Sequence, residues 1–288
     1  MALVVLLVAV IGSGCVAGSA EDSDGSRPAP GQQAKQHGAL SAYVEKVKRA
    51  QAARAVAAKR WGLAKTPLAA PRPPAVKPKI TTRKGFEVEG GESLPPVFTT
   101  VPVKEKIVFL TIDDGAEKDP AFLRMMSDLQ IPYSAFLSDY LISDNYGYFK
   151  QMQDRGVSLH NHTLNHPYLR GLSYAEQKHE ICDQQTKLEK RYGKRSPLFR
   201  PPYGSYNKDT LRVAQSCGTK AVPLWAAEAF PDHMEWRERD RDLHPGDIIL
   251  THFRGHRAWK GTMPDMIRRV MKTVSDKGYA VAKLEDYV

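Results

Sequence analysis

The feature that most constrains this chain is residues 106–115, Lys-Ile-Val-Phe-Leu-Thr-Ile-Asp-Asp-Gly, an apolar run that stops abruptly at two carboxylates and a glycine. Residues 107–112 are β-branched and aromatic-rich and have the length of a core strand, and Gly115 supplies a tight exit. The stretch reads as a buried strand that delivers acids to a mouth. Adjacent strand residues face opposite sides, so Asp113 and Asp114 can share a pocket only if the strand has already begun to turn. An ordinary Asp-Gly turn without chemistry is the plain alternative, and the company these carboxylates keep decides against it.

From residue 105 onward, short apolar runs alternate with amphipathic stretches, the pattern of repeated strand and helix units. Candidate strands are 107–112, 133–137, 157–159, 197–199, 220–224, 247–250 and 279–282. Candidate helices are 119–129, 146–154, 175–192, 208–217 and 263–277. In such folds chemistry collects at the C-terminal ends of strands. Three more polar motifs fall there.

Residues 158–167, Ser-Leu-His-Asn-His-Thr-Leu-Asn-His-Pro, place three histidines just after a strand. His162 and His166, at i and i+4, can converge on one metal if the chain turns helically before Pro167. With Asp114 they make two imidazoles and a carboxylate, a set that suits zinc or another divalent first-row ion and leaves positions open. His160 is a rival ligand, since i and i+2 on a strand face the same way; with three ligands already in hand it reads rather as a supporting or interior residue. Residues 199–204, Phe-Arg-Pro-Pro-Tyr-Gly, form a rigid turn in which Arg200 can hold a carboxylate ionised and a fixed backbone N–H can meet an oxyanion. Residues 246–253, Gly-Asp-Ile-Ile-Leu-Thr-His-Phe, end a further strand at His252, placed to donate a proton.

The order of Thr-Ile-Asp-Asp-Gly at 111–115, His-Thr-Leu-Asn-His-Pro at 162–167, Arg-Pro-Pro-Tyr-Gly at 200–204 and Leu-Thr-His at 250–252 resembles the polysaccharide deacetylases with a NodB homology domain, carbohydrate esterase family 4. The resemblance covers about residues 105–288. It implies a distorted (β/α) barrel whose divalent metal, zinc first with cobalt or manganese as alternatives, serves hydrolysis of an N-acetyl group on an amino sugar of peptidoglycan or a chitin-like glycan. By position, Asp113 would be the general base, and Asp114, His162 and His166 the metal ligands. Arg200 would orient Asp113, the Tyr203 amide would meet the oxyanion, His252 would be the acid, and Trp225 and Pro202 would line the sugar pocket. The family's usual Asp-Trp pair is missing between the third and last motifs, so Glu228 and Asp232 compete for the acidic place beside His252. An O-acetyl esterase acting on a glycan such as xylan, and a non-catalytic glycan-binding domain, are the rival functions.

Ahead of this domain, residues 1–20 read as an export signal: an apolar run, then small residues, with Gly-Ser-Gly-Cys15 as a lipoprotein-type alternative to simple cleavage and secretion. Residues 21–104 read as a basic Ala/Pro-rich tether, with a helix over 39–65 that has little to pack with. This stretch carries 15 Lys plus Arg against 7 Asp plus Glu, while the rest is nearly balanced, so a polyanionic partner, a wall polymer or a membrane surface, fits the arm. It has few aromatics, and export separates it from nucleic acid. With Cys15 removed or lipidated, Cys182 and Cys217 remain as an even pair, readable as a disulfide between helices that neighbour each other outside the barrel.

Overall fold

The computed structural model describes residues 30–288. The expected export signal and Cys15 lie outside the described residues. The chain divides into two units, Met1–Val47 and Lys48–Val288. Helix α1 (Pro30–Arg60) contributes residues to both.

Strand β1 (Val97–Phe98) precedes the central strand β2 (Ile107–Asp114), in which all eight residues are buried. Then come α2 (Pro120–Leu129), β3 (Ser134–Leu137), α3 (Asp139–Ile142), α4 (Tyr146–Asp154), β4 (Ser158–Asn161), α5 (Tyr174–Lys178), a π-helical segment (His179–Asp183), α6 (Gln184–Tyr192) and α7 (Lys208–Ser216). The chain closes with β5 (Val222–Pro223), β6 (Ala227–Ala229), β7 (Met234–Trp236), β8 (Ile248–His252), α8 (Met263–Asp276) and β9 (Ala280–Ala282). The main sheet runs β4-β3-β2-β8-β6-β7, and β9 pairs with the start of β2. Every pairing in it is parallel except the β6-β7 hairpin. Parallel bridges from Asn161 to Phe199 and from Leu198 to Ala221 carry the wall onward to β5, which pairs with β1. The C-terminal ends of β2, β3, β4 and β8 therefore open on one side.

Local chemistry explains the boundaries. Asp119 caps α2 through the Ala121 amide, and Pro120 occupies its first turn, where a missing N–H costs nothing. Thr262 and Asp265 form a capping box on α8, whose buried Met263, Met266, Ile267, Val270, Met271 and Val274 recur at helical spacing.

Four expectations are corrected. Residues 197–199 form bridges but no strand, and 220–224 shortens to Val222–Pro223, because Pro197 and Pro223 have no N–H for a ladder. The helix expected over 175–192 is interrupted by the π-helical turn. The largest correction is the arm, since residues 48–104 belong to the compact unit. Ala57 and Ala58 are 4% and 2% exposed in the main core cluster: small side chains let a helix approach closely where large ones were expected to be needed. Trp61 Nε1 donates to Asp128 at 2.9 Å, Arg268 Nε donates to the Trp61 carbonyl at 2.7 Å, Leu68 bridges to Ala280, and Lys77 Nζ donates to the Glu285 and Val288 carbonyls.

Candidate active site

Asp113 continues the β2 ladder opposite His252 of β8. Asp114 has φ +80°, a left-handed turn that a non-glycine residue rarely adopts. That turn brings both carboxylates to one place, where His162 Nε2 lies 3.6 Å from Asp113 Oδ2 and 3.6 Å from Asp114 Oδ1. Gly115, at φ +102°, completes the exit; a Cβ there would lie 2.4 Å from the Ile142 side chain.

Asp113 is held by Arg200, whose Nη1 donates to Asp113 Oδ1 at 2.7 Å and to Thr111 Oγ1 at 3.0 Å. The guanidinium is fully buried, donates through Nε to the Pro223 carbonyl at 2.7 Å and lies 4.3 Å over the Phe136 ring. Burial pushes the Asp113 carboxyl up to about 6, against the pull of Arg200. A carboxylate this basic can accept a proton near neutral pH.

His162 Nδ1 lies 2.7 Å from the Arg200 carbonyl, which can only accept, so Nδ1 carries the proton and Nε2 presents a lone pair. Burial brings this imidazole down to about 4 and keeps it neutral. His166 Nε2 stands 3.4 Å from Asp114 Oδ1. The two histidines converge without the helical turn expected of them: Thr163 at φ +73° and His166 at φ +55° fold the loop back, and the Thr163 amide is held by Asn161 Oδ1. Donor atoms of Asp114, His162 and His166 all lie within 4.8 Å of one another. Asp114 Oδ1 is buried and has no hydrogen-bond partner, an orphaned anionic atom beside an imidazole with a free lone pair. This donor set fits a divalent first-row cation. Burial would raise the Asp114 carboxyl, but His252, His162, His166 and Arg254 outweigh it and hold it below the usual range.

On the neighbouring strand, His252 Nδ1 is 3.3 Å from Glu228 Oε1 on β6. Burial lowers the His252 imidazole and raises the Glu228 carboxyl to about 7. Asp232 is elsewhere, exposed and paired with its neighbour His233 at 2.7 Å. Tyr203 sits at φ +60° in the turn after Arg200, with its ring 4.7 Å from that of His166 and its side chain exposed. Gly204 packs beneath Trp225, where a Cβ would come within 3.0 Å of the indole. Pro202 is buried within the same turn. His160 points away from the cluster, bonded to Ser196 Oγ at 2.7 Å and Glu285 Oε1 at 2.6 Å. Cys182 and Cys217 are disulfide-bonded with Cα atoms 5.2 Å apart.

Sequence reasoning missed two residues of this region. Trp259 approaches His252 edge-on, with ring centroids 6.1 Å apart. Arg254 Nη2 donates to Asp114 Oδ2 at 2.8 Å, and it lies beyond the end of β8, where strand spacing gives no signal.

The polysaccharide deacetylase family model matches residues 100–222. An uncharacterized protein of Streptomyces coelicolor is 41% identical over 203 residues, covering 70% of this chain and 81% of that protein. The peptidoglycan-N-acetylglucosamine deacetylase of Bacillus cereus is 31% identical over 169 residues, covering 54% of this chain and 76% of its own length. Among solved structures, a family 4 carbohydrate esterase from Bacillus anthracis matches with TM-score 0.55 at 23% identity, covering 66% of this chain and 86% of that one. A family 4 pseudoenzyme from the same organism matches with TM-score 0.56 at 22% identity, covering 67% and 69%. The fold and site define a mostly parallel α/β scaffold with its polar cluster at the strand ends. The chain belongs to the polysaccharide deacetylase family. Because a pseudoenzyme shares the fold, the case for activity rests on the side chains.

Proposed function

We propose that this protein hydrolyses N-acetyl groups from the amino sugars of peptidoglycan, using a divalent metal, zinc in the first instance, held by Asp114, His162 and His166. The observation that carries the reading is that the buried Asp113–Arg200 pair, the three-ligand cluster and the His252–Glu228 pair gather where β2 and β8 end, Asp113 standing opposite His252 in the ladder. When bound, the cation supplies Lewis acidity to the acetamide carbonyl and to water.

Asp113, aligned by Arg200, accepts a proton from the attacking water as its oxygen bonds to the acetyl carbon. The Tyr203 amide in its fixed turn is the donor toward the oxygen that gains negative charge. An amide nitrogen leaves poorly unless protonated, and His252 stands ready to supply that proton as the carbon–nitrogen bond breaks. Acetate and a free amine result. Glu228 steadies the imidazolium before transfer, the part an aspartate usually takes in this family.

The preference for peptidoglycan is supported by the names of characterised relatives from Bacillus. Export, by secretion or by a lipid anchor at Cys15, is part of the proposal; the apolar run at residues 2–11 and a disulfide, a bond suited to oxidising compartments, support it. The test is acetate release by purified protein from N-acetylated peptidoglycan, chitin oligomers and acetylxylan. Peptidoglycan should be the best substrate; acetate from xylan alone would overturn the N-deacetylase reading.

A further inference from the structure

We propose that Arg254 is a positioning residue for the metal site: it holds one oxygen of Asp114 so that the other is the atom offered to the cation. The inference rests on the metal reading of the Asp114, His162 and His166 cluster.

The two oxygens of Asp114 have unlike surroundings. Oδ2 accepts from Arg254 Nη2 at 2.8 Å. Oδ1 has no hydrogen-bond partner and lies 3.6 Å and 3.4 Å from Nε2 of His162 and His166. A carboxylate can rotate about its last bond and can chelate through both oxygens. A guanidinium on one of them removes both freedoms, and groups in this position behind a ligand govern metal affinity.

The backbone that presents Arg254 is itself fixed. The Phe253 amide donates to the Asp113 carbonyl at 3.0 Å, and its carbonyl accepts from the Glu117 amide at 2.9 Å. Its side chain is fully buried against Phe122 and Phe149. Phe253 and Arg254 lie just beyond the end of β8, and the Arg254 amide donates to the His252 carbonyl at 2.9 Å, a tight turn that carries the arginine to Asp114 while Phe253 stays in the core. Gly255 follows, where a Cβ would lie 2.6 Å from Glu117 Oε2, so the chain must pass close to that side chain directly after the arginine. Arg254 itself is 43% exposed, which makes truncation compatible with folding.

A guanidinium beside a cation also repels it. Repulsion alone would make its removal strengthen binding, and positioning would make removal weaken it. The sign of the change therefore separates the two.

The experiment titrates Zn²⁺ and Co²⁺ into the purified, chelator-stripped full chain against a competing fluorescent chelator, and records the visible spectrum of the Co²⁺ form. Arg254→Met should weaken both metals by roughly 10- to 100-fold and alter the Co²⁺ bands, as the carboxylate is no longer confined to one oxygen. Arg254→Lys, which keeps a charged donor, should bind more tightly than Arg254→Met. Arg257→Met, which removes an exposed neighbouring cation, should leave affinity and spectrum unchanged. Unchanged or tighter binding by Arg254→Met, or an unaltered Co²⁺ spectrum, overturns the inference while leaving the ligand cluster standing. Failure of the wild-type chain to bind either metal would overturn both.

Discussion

Asp113 and Asp114 are neighbours in sequence with opposite surroundings, one clasped by a buried arginine and the other turned toward two imidazoles. Asp114→Asn should therefore lower metal affinity, since a neutral amide is a poor ligand. Asp113→Asn should keep its metal and lose about a hundredfold or more in kcat. Metal content beside acetate release for both variants checks this; loss of metal from the Asp113 variant alone would reverse the assignments. A second prediction concerns Glu228, whose carboxyl burial raises to about 7. Burial lowers His252 as well, so the two groups, 3.3 Å apart, titrate as a pair in which a proton on the imidazole is favoured by negative charge on the carboxyl. Glu228→Gln removes this support, so His252 should lose its proton at lower pH, and the alkaline limb of the kcat/KM profile should move down in pH. An unmoved limb would give Glu228 no part in the acid. At this scale the motif residues Asp113, Asp114, His162, His166, Arg200 and His252 are ones the fold brings together, because motif chemistry depends on side-chain type. Sequence alone could not separate Glu228 from Asp232, which differ in contacts made only by the folded β6-β7 hairpin, and it did not foresee the positive φ of Asp114, His166 and Tyr203.

Between elements, the strands that deliver the site were legible and the connections were not. An apolar run such as 107–112 announces itself, whereas the bridges at Phe199 and Ala221 rest on single backbone pairs with no periodicity to read. The loop that folds His166 back is likewise a matter of backbone conformation. Two tests belong here. Gly204→Ala puts a Cβ within 3.0 Å of the Trp225 indole at φ +63°, so the turn bearing Tyr203 must shift; stability should fall by about 1 kcal/mol or more and kcat should drop, with both seen in one preparation by melting and assay. The disulfide ties Cys182 in the π-helical segment to Cys217 at the end of α7, across a separation of 35 residues. Cys182→Ser should cost about 2–4 kcal/mol and lower the melting temperature, and reductant should lower that of the wild-type protein alone. Equal melting of the two without reductant would mean that the bridge contributes nothing in solution.

For the whole molecule, the question is where the folded unit begins. Composition placed the start near residue 105, because residues 21–104 are rich in alanine, proline and cations and poor in large apolar groups. That reasoning counts only what a segment brings to a core of its own. It overlooks what the segment covers on a core already built: Ala57 and Ala58 lie in the same cluster as Phe122, Leu123 and Met126 of α2, and Trp61 reaches both α2 and α8 through hydrogen bonds. Further along, Val97–Phe98 forms the only partner strand of β5 among the described residues, and Arg83 pairs with Glu238 and Thr99. Removing residues 1–40 should therefore leave melting temperature and turnover of a soluble oligosaccharide unchanged. Removing residues 1–85 exposes apolar surface at α2 and α8 and breaks the Trp61, Leu68, Lys77 and Arg83 attachments. At roughly 25 cal/mol per Å² of apolar area returned to water, even a few side chains amount to several kcal/mol, a large share of a typical domain's stability. The shorter protein should melt at markedly lower temperature or be recovered as aggregate, while its ligand residues, all beyond residue 105, remain in the chain. Comparing the two truncations by thermal unfolding and metal binding decides the point: if the protein lacking residues 1–85 melts like the full chain, the docked segment is an appendage, and the boundary read from composition is the functional one.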